Sequence, residues 1–317
     1  MLTHQEAVQF LSKKPALSVS AIEKEAGLPV STLPKALAGH RTLNQKHLTA
    51  LEPVLLEYGL TEFRYRKARV ISVVNHKGGV GKTTTTINLG RALALQTYKV
   101  LIVDMDSQGN LSQSVGVDNP EEQLYEALVH QKELPVLGVT ENFDLVPSNL
   151  ELAKYERDLT HSPSGSLRLK ASLAPVLDKY DFILIDCPPA LNIFTNSALI
   201  ASTSALVVLE PETSAVKGMN NLFELIEEIR RFFNERLTID GVLLTRVDRR
   251  LVLHKEIIQA VRQDLADFVV FQTEIRLSAA LKESQYAQLD IFRYHPASPG
   301  AQDYQALANE YLGNLSY

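Results

Sequence analysis

The sequence predicts an α/β protein, in which a mostly parallel, doubly wound sheet with helices on both faces follows a small all-α domain. From residue 70 onward, continuous apolar runs alternate with stretches of helical period, as in parallel sheets whose strands are buried on both faces. A glycine-rich loop at residues 77–83 joins the first apolar run to a helix start. Residues 1–69 carry a net charge of +4, whereas the rest of the chain carries −9. We therefore expect a helical domain at residues 1–66 and an α/β domain at residues 67–317.

The first domain contains a pattern of two short helices separated by a turn, at residues 19–37. Gly27 lies where the turn needs a left-handed residue, and several apolar residues fall where the two helices would pack on each other. These apolar residues are Ile22, Ala26, Leu28, Leu33 and Ala36. A later amphipathic helix would complete the domain, with its apolar face at Leu48, Leu51, Leu55 and Leu56.

The two-helix pattern resembles the helix-turn-helix of repressors, which implies that the second helix begins near Ser31 and enters a DNA major groove. The side chains expected to meet base edges are Ser31, Thr32 and Lys35, and those expected to meet phosphates are His40 and Arg41. Pro34 departs from the pattern, because a proline beyond the first turn removes a helical hydrogen bond. The alternative is a helical dimerisation or docking domain without DNA contact.

The loop at residues 77–83 reads Lys-Gly-Gly-Val-Gly-Lys-Thr and follows the apolar run Val70–Val74. Such a loop can surround phosphates with backbone N–H groups, because its glycines let the chain approach an anion without Cβ clashes. We expect Lys82 to reach the β- and γ-phosphates of a nucleotide and the Thr83 hydroxyl to hold Mg²⁺. The alternative is a glycine turn with two solvated lysines.

Two further apolar runs end in aspartates. Val100–Val103 precedes Asp104 and Asp106, and Phe182–Ile185 precedes Asp186. Runs of this kind suit strands buried on both faces, with the acidic side chains at their carboxyl ends. We expect these carboxylates to face the phosphate loop, where a metal ion and an attacking water have to be organised.

More strands and helices are predicted in the remainder of the α/β domain. The strand positions are residues 145–146, 205–209, 239–244 and 269–271. An amphipathic helix is expected from Met219 to Phe233. Ser298 and Pro299 have the pattern of an N-cap followed by proline at the first helical position, so we expect a final helix from there through Leu312.

Composition and charge restrict the class of protein. No stretch reaches the roughly 18 apolar residues that span a bilayer, and the N-terminus lacks a signal-peptide pattern. The single cysteine, Cys187, excludes a disulfide framework and argues against an iron–sulfur protein, which needs several thiolates. We therefore expect a cytoplasmic protein. The basic junction at residues 64–69 favours contact with nucleic acid, with a solvated linker as the alternative.

The loop K-G-G-V-G-K-T, with its extra lysine at Lys77, resembles the deviant Walker A loop of the ParA/MinD family of ATPases. The resemblance covers roughly residues 69–317. Other segments that carry it are Asp104–Asn110, Phe182–Pro189, Glu210–Leu222, Leu243–Arg250 and Tyr294–Ala301. Residues 309–317 contain no basic side chain, unlike the membrane-binding tail of the MinD branch, so no membrane contact is expected. An N-terminal helix-turn-helix is typical of the longer, plasmid type of ParA, so the resemblance together with residues 19–37 favours that type.

This resemblance implies a P-loop NTPase with weak intrinsic ATPase activity that uses ATP and Mg²⁺. It assigns catalytic roles to Lys82, to Lys77, which would cross to the nucleotide of the other subunit, and to Asp106, which would position the hydrolytic water. The implied nucleotide-binding residues are Lys77, Gly78, Gly79, Val80, Gly81, Lys82, Thr83, Thr84, Pro211 and Glu212. The implied metal-binding residues are Thr83, Asp104 and Asp186.

Two functions are compatible with the resemblance. In the first, an ATP-bound homodimer coats nonspecific DNA on the nucleoid and a ParB-like, centromere-binding partner stimulates hydrolysis, so that DNA is partitioned and the protein also represses its own operon. In the second, the protein is a nucleotide-controlled transcriptional regulator without a role in segregation.

Nonspecific DNA binding would depend on basic side chains that contact phosphates and read no sequence. We expect these to line one face of the closed dimer, near the ends of late core elements, at Arg230, Arg231, Arg249 and Arg250. The alternative is that the same arginines form exposed ion pairs with Glu227, Glu228 and Asp248.

Overall fold

The structure, a computed structural model, describes residues 2–12, 14, 17–61, 67–212 and 215–315, with the backbone alone at residues 5, 9 and 215–218. Residues 64–66 of the basic junction and residues 213–214 of the segment 210–222 lie outside the described residues. The chain divides into two compact units, Met1–Arg66 and Lys67–Tyr317.

The first unit is helical throughout its described secondary structure. Its helices are α1 (His4–Ser12), α2 (Val19–Glu25), α3 (Thr32–Leu37) and α4 (Gln45–Glu57). Gly27, in the turn between α2 and α3, has the predicted left-handed backbone with φ of +64°. The predicted apolar residues of α2 and α3 belong to one core with α4, and Leu28 packs against it. Leu56 is 41% exposed, contrary to the prediction, because it lies about 100° around α4 from the buried Leu55.

Pro34 is compatible with helix α3. The helix begins at Thr32, so Pro34 is its third residue. The first four N–H groups of a helix have no intrahelical acceptor, and a proline at this position therefore removes no helical hydrogen bond.

The second unit is built on a seven-stranded sheet with the order β3-β4-β2-β5-β1-β6-β7. Its strands are β1 (Arg69–Val74), β2 (Val100–Asp104), β3 (Leu137–Thr140), β4 (Phe143–Val146), β5 (Phe182–Asp186), β6 (Ser204–Leu209) and β7 (Thr238–Leu244). All neighbours pair in parallel except β3 and β4, which are antiparallel. The predicted mostly parallel α/β fold is confirmed.

Helices cover both faces of this sheet. They are α5 (Lys82–Leu95), α6 (Asn110–Ser114), α7 (Leu124–His130), α8 (Glu151–Lys154), α9 (Glu156–His161), α10 (Arg168–Leu173), α11 (Ile193–Ala201), α12 (Ala215–Phe232), α13 (Val252–Asp264), α14 (Ala279–Tyr286), α15 (Ile291–Tyr294) and α16 (Pro299–Asn314). Short 3₁₀ turns occur at Gly165–Leu167 and Ala174–Val176. Along β1, Val70 and Val74 belong to one apolar core, and Ile71 and Val73 belong to the core on the opposite face. The strands are therefore buried on both faces, as their continuous apolar runs predicted.

Some predicted elements differ from the structure. Residues 269–271 do not form a strand, because Val270 makes only an isolated parallel bridge to Val242. The antiparallel edge strand β3 was not predicted, since its residues are only partly buried and lack an apolar run. Helix α12 begins at Ala215, four residues before the predicted start, and ends at Phe232. The predicted cap of α16 is confirmed, since the Ser298 hydroxyl accepts a hydrogen bond from the Ala301 N–H at 3.2 Å.

Helix α5 packs very closely on the sheet at Gly90. A Cβ atom at this position would lie 2.9 Å from Cε2 of Phe143 and 3.2 Å from Cγ2 of Ile102. Only glycine therefore allows this approach without displacing neighbours. Since α5 starts at the end of the loop that follows β1, the contact also fixes that loop at the carboxyl edge of the sheet.

Candidate functional site

The phosphate-type loop lies between strand β1 and helix α5, in the centre of the sheet. Gly79 and Gly81 have φ angles of +77° and +93°, which a residue with a Cβ adopts only with strain. The side chain of Asn75 anchors the start of the loop, since its Oδ1 accepts from the Lys77 N–H at 2.9 Å and its Nδ2 donates to the Val208 carbonyl at 2.6 Å. Sequence reasoning missed Asn75, although a polar residue directly after an apolar strand was a usable signal.

Lys82 is the first residue of α5 and is buried in the site. Its Nζ donates a hydrogen bond to the Lys77 carbonyl at 2.9 Å. Burial lowers the pKa of Lys82, and the nearby carboxylates of Asp186 and Asp106 oppose that shift. A cation held in this position can meet an anion that enters the loop.

Thr83 and Asp186 form the most direct contact between the loop and the acidic strand ends. The Thr83 hydroxyl donates to Oδ2 of Asp186 at 2.7 Å, and the Thr86 hydroxyl approaches Oδ1 at 3.5 Å. Burial raises the pKa of Asp186 well above its usual range, and the neighbouring Asp104 adds to the shift. Hard oxygen donors of this kind suit Mg²⁺, which binds few protein groups and keeps several waters. Within the described residues, no group of three or more His, Cys, Asp or Glu side chains is arranged to hold a metal by itself.

Asp104 and Asp106 differ sharply in their surroundings. Asp104 is fully buried, and burial raises its pKa to about 7. Its Oδ2 accepts from the Ser112 N–H at 2.9 Å and the Ser112 hydroxyl at 2.7 Å, while its Oδ1 accepts from the Asp106 N–H at 3.2 Å. Asp104 therefore holds the turn after β2, and its predicted metal contact stays a prediction. Asp106 is partly exposed and lines the same cleft as Lys82.

The loop borders a cleft of about 530 Å³ at the carboxyl edge of the sheet. Part of its lining comes from the loop and from the turn after β2, at Gly78, Gly79, Gly81, Lys82, Thr83, Thr84 and Asp106. Later segments also line it, at Thr245, Arg246, Ile275, Arg276, Leu277, Ser278, Leu281, Lys282 and Gln285. Sequence reasoning assigned no site role to these later residues. A larger groove of about 1010 Å³ lies between α7 and α10, away from the glycine loop.

Val80, Pro211 and Glu212 were also predicted to bind nucleotide. Val80 is buried, and its carbonyl accepts from the Thr245 hydroxyl at 2.6 Å, which ties the loop to the end of β7. Pro211 and Glu212 are not among the residues that line the cleft. The Glu212 carboxylate instead pairs with Nζ of Lys77 in the same subunit. Nucleotide contact by this segment stays a prediction.

The predicted arginines do not form a single cluster. Arg230 and Arg231 lie at the end of α12, just before the start of β7, whereas Arg249 and Arg250 follow the carboxyl end of β7. Within one subunit the two pairs are therefore at opposite edges of the sheet, and their placement on one face of a closed dimer stays a prediction.

The alternative of exposed ion pairs is observed for several of these arginines. Arg230 contacts Glu227 at 3.0 Å and Arg250 contacts Asp248 at 2.6 Å, while Arg249 contacts Glu274 at 3.3 Å. The Arg231 guanidinium lies 5.2 Å from the centroid of the Phe232 ring.

In the N-terminal unit, Lys35, His40 and Arg41 are exposed and Ser31 is partly exposed. Thr32 is fully buried, so its predicted contact with a base edge is wrong. Thr32 lies one helical turn before Ala36 and shares its buried face, which the spacing in the sequence already indicated.

Glu23 was missed by sequence reasoning and fixes the start of α3. Its buried carboxylate accepts from the Ser31 N–H at 3.2 Å and from the Leu33 N–H at 2.6 Å. Ser31 makes no side-chain capping bond of its own. A carboxylate from α2 therefore caps α3.

Comparison with known proteins agrees with this geometry. A protein-family model described as an AAA domain matches residues 68–239. The chain is 37% identical over 251 residues to the sporulation initiation inhibitor protein Soj of Bacillus subtilis, an alignment that covers 78% of this chain and 99% of Soj. It is 36% identical over 253 residues to the chromosome partitioning protein ParA of Caulobacter vibrioides, covering 77% of this chain and 94% of that protein.

A solved structure has the same fold. The septum site-determining protein MinD of Pyrococcus horikoshii, complexed with Mg-ADP, matches with a TM-score of 0.62 and 29% identity, covering 77% of this chain and 95% of that one. The part of the chain that the structure describes has no helix of sufficient length and apolar character to cross a membrane. With a glycine loop, a buried lysine and a Thr83–Asp186 contact beside one cleft, and with relatives that align over most of their length, the chain belongs to the ParA/Soj/MinD-like family of P-loop ATPases.

Proposed function

We propose that this protein is an ATP-dependent DNA partition ATPase of the ParA type, with a deviant Walker A loop and an N-terminal helix-turn-helix. The observation that carries the proposal is the loop at residues 77–83, whose two lysines lie at its entrance and at its helix start, beside Asp106 and the Thr83–Asp186 pair. The relatives that are named chromosome partitioning proteins support the same function. ATP is the substrate, and Mg²⁺ is the cofactor.

The loop residues act by binding and orienting the triphosphate. Backbone N–H groups of residues 78–83 and the Lys82 ammonium bind phosphate oxygens, with Thr84 beside them in the cleft wall. Thr83 and Asp186 hold Mg²⁺, which supplies positive charge to the phosphates. Asp106 orients the attacking water, because it is the partly exposed carboxylate of the β2 turn and lines the cleft.

Lys77 acts between subunits. In an ATP-bound sandwich dimer, its ammonium reaches the nucleotide of the other subunit and adds positive charge where phosphate charge develops in the transition state. The side chain is 42% exposed, so it is accessible to a second subunit. Hydrolysis is slow in the absence of the centromere-binding, ParB-like partner and faster in its presence.

Nonspecific DNA binding is assigned to a groove at the amino edge of the sheet, because most of the charged residues that line it are cations. This amino-edge groove encloses about 640 Å³ and is rimmed by Phe232 and Phe233. Its charged lining residues are Lys67, Lys170, Arg230, Arg231, Glu235 and Arg236. Such a lining favours phosphates, and binding there depends steeply on salt. Arg249 and Arg250, which lie outside this groove and pair with Glu274 and Asp248, are a secondary candidate. Arg230 in the groove also pairs with an acid, Glu227.

Sequence-specific binding is assigned to the N-terminal unit. Ser31 and Lys35 at the start of α3 read base edges, while His40 and Arg41 contact phosphates. This unit represses the operon of the protein, and the core places the protein on the nucleoid in the cytoplasm. The alternative function is a nucleotide-controlled transcriptional regulator without a role in segregation. Removal of residues 1–66 separates the two functions. It should leave DNA partition partly intact if the protein is a partition ATPase, and it should abolish function if the protein is only a regulator.

The deciding experiment compares the wild type with Lys77→Ala. The wild type should dimerise with ATP and hydrolyse it faster when DNA and partner are added. Lys77→Ala should retain ATP binding but lose ATP-dependent dimerisation and stimulated hydrolysis, measured by light scattering and phosphate release. Lys255→Ala, an exposed lysine on α13, is the control and should behave like the wild type. Normal dimerisation of Lys77→Ala would contradict the role of Lys77.

A further inference from the structure

The backbone of Lys77 is held by two hydrogen bonds, whereas its side chain is half exposed and can pair with more than one anionic group. The Lys77 N–H donates to Asn75 at 2.9 Å, and its carbonyl accepts from Lys82 at 2.9 Å. Its ammonium pairs with the Glu212 carboxylate of the same subunit, and the two side chains are 42% and 44% exposed. Since one ammonium cannot occupy two places, this contact excludes the reach of Lys77 into another subunit.

Glu212 is in turn linked to the wall of the cleft. Its N–H donates to the Glu210 carbonyl at 2.8 Å, and Oε1 of Glu210 accepts from Nε of Arg246 at 2.9 Å. Arg246 lines the cleft and has a φ of +54°. A residue other than glycine keeps this left-handed backbone conformation only when the surrounding structure holds it there. The position of Glu212 is therefore connected, contact by contact, to the place where the nucleotide is proposed to bind.

We propose that Glu212 is a positioning residue that holds Lys77 on its own subunit until two ATP-bound subunits meet. The proposal rests on the proposed function, because it assumes that Lys77 acts on the nucleotide of the other subunit. A triphosphate carries more negative charge than a single carboxylate, so it draws Lys77 away from Glu212. An empty site offers no such attraction, and the Lys77–Glu212 pair stays closed. The pair thus restricts dimerisation to subunits that offer a nucleotide.

The expected effect is modest, because the pair is half exposed to water. Exposed ion pairs typically shift an equilibrium by about 1.4- to 5-fold. A dimer contains two such pairs, and both must break for both lysines to cross. Loss of the carboxylate should therefore favour the ATP dimer by about 2- to 25-fold.

The test is Glu212→Gln, which keeps the shape of the side chain and removes its charge. Sedimentation of the full-length protein over a concentration series, with a slowly hydrolysed ATP analogue, gives the concentration at which half of the chains are dimeric. This midpoint should fall by about 2- to 25-fold in Glu212→Gln. Glu224→Gln, which removes an exposed carboxylate from α12, should leave the midpoint unchanged. Glu212→Asp keeps the charge and should return the midpoint toward the wild-type value, which a purely structural role would not produce.

The outcomes separate this proposal from the function on which it rests. If the wild type does not dimerise with the analogue, both are contradicted. If the wild type dimerises and Glu212→Gln has the same midpoint or a higher one, only the holding role of Glu212 is contradicted. A higher midpoint would mean that Glu212 stabilises the dimer instead of opposing it.

Discussion

At the scale of single residues, Asp104 and Asp106 show how burial separates the roles of two neighbouring carboxylates. Asp104 is fully buried and accepts three hydrogen bonds from Ser112 and Asp106, so its carboxylate is committed to the turn. Asp106 is partly exposed to the cleft and accepts from the Gln108 N–H at 3.0 Å. Of the two, Asp106 is therefore the carboxylate available to a water molecule.

Asp106→Ala should bind ATP but hydrolyse it at least about 100-fold more slowly than the wild type. The attacking water loses its orienting carboxylate in this variant, while the phosphate contacts remain. The variant should consequently accumulate as an ATP-bound dimer, visible by light scattering and by retention of labelled nucleotide. Asp178→Ala, an exposed aspartate far along the chain, is the control. Rapid turnover by Asp106→Ala would remove this residue from the mechanism.

Residue identity predicted the part of the cleft that the glycine loop forms and not the part that later segments form. Phosphate binding requires glycines, Lys82 and Thr83 at fixed spacing, so these positions were recognisable without a structure. Residues 275–285 approach the loop only through packing of distant segments, and no local spacing marks them. Thr245 lies in the recognised segment Leu243–Arg250, but its contact with the loop also depends on tertiary packing. The rotation of α3 about its axis is set by burial of Leu33 and Ala36, which is why Thr32 was wrongly expected to be exposed.

At the scale of elements, α3 depends on a neighbouring helix for its cap. The buried Glu23 carboxylate on α2 satisfies the Ser31 and Leu33 N–H groups, which would otherwise lack acceptors at the helix start. This contact joins the two helices across the turn at Gly27. The proposed reading surface of α3 therefore keeps its orientation through Glu23.

Glu23→Ala should destabilise the N-terminal unit by about 1–3 kcal/mol, because two backbone donors lose their acceptor. Selective binding to a promoter fragment of the protein's own operon should weaken, while ATP turnover by the second unit persists. Gel shift and phosphate release measure the two effects. Lys24→Ala, on the exposed side of α2, should change neither. Undiminished promoter selectivity in Glu23→Ala would show that this cap does not position the reading surface.

The fully buried strands of the sheet were predicted more accurately than the strand at its edge. Fully buried strands such as β2 and β5 have continuous apolar runs, since both faces pack against helices. Strand β3 has no such run, because it pairs only with β4 and is partly exposed. The segment 269–271 has apolar residues that pack beside β7 without extending the sheet, so its composition misled the prediction.

At the scale of the whole molecule, the distribution of charge over the surface is more important for the proposed DNA binding than the net charge of the chain. The chain has a formal net charge of −5, yet the described residues that line the amino-edge groove include five cations and one acid. The sequence pattern could not reveal this groove, because Lys67, Lys170 and Arg236 come from segments that are far apart along the chain. The prediction of Arg230 and Arg231 named only part of the surface.

The double variant Lys170→Glu/Arg236→Glu should weaken binding to random duplex DNA and reduce the slope of log affinity against log salt by about two. Each lost cation removes one phosphate contact and its counterion release. Fluorescence anisotropy over a salt series, with ATP present, measures the slope. Lys154→Glu/Arg157→Glu makes the same charge change on α8 and α9 and should follow the wild-type line. Superimposed lines for the groove variant and the wild type would exclude the groove as the DNA surface.

The close approach of α5 to the sheet at Gly90 affects the entropy change when the loop binds a ligand. The loop at residues 77–81 connects a central strand to a helix that is locked onto Phe143 and Ile102, so folding itself fixes the loop's conformation. The entropy of ordering that backbone is lost when the core forms and is not lost again on binding. A bulkier residue at position 90 would displace α5, and the ligand would then have to reorganise the loop for itself. We therefore expect nucleotide affinity to depend partly on the absence of a Cβ at position 90, about two helical turns from the loop.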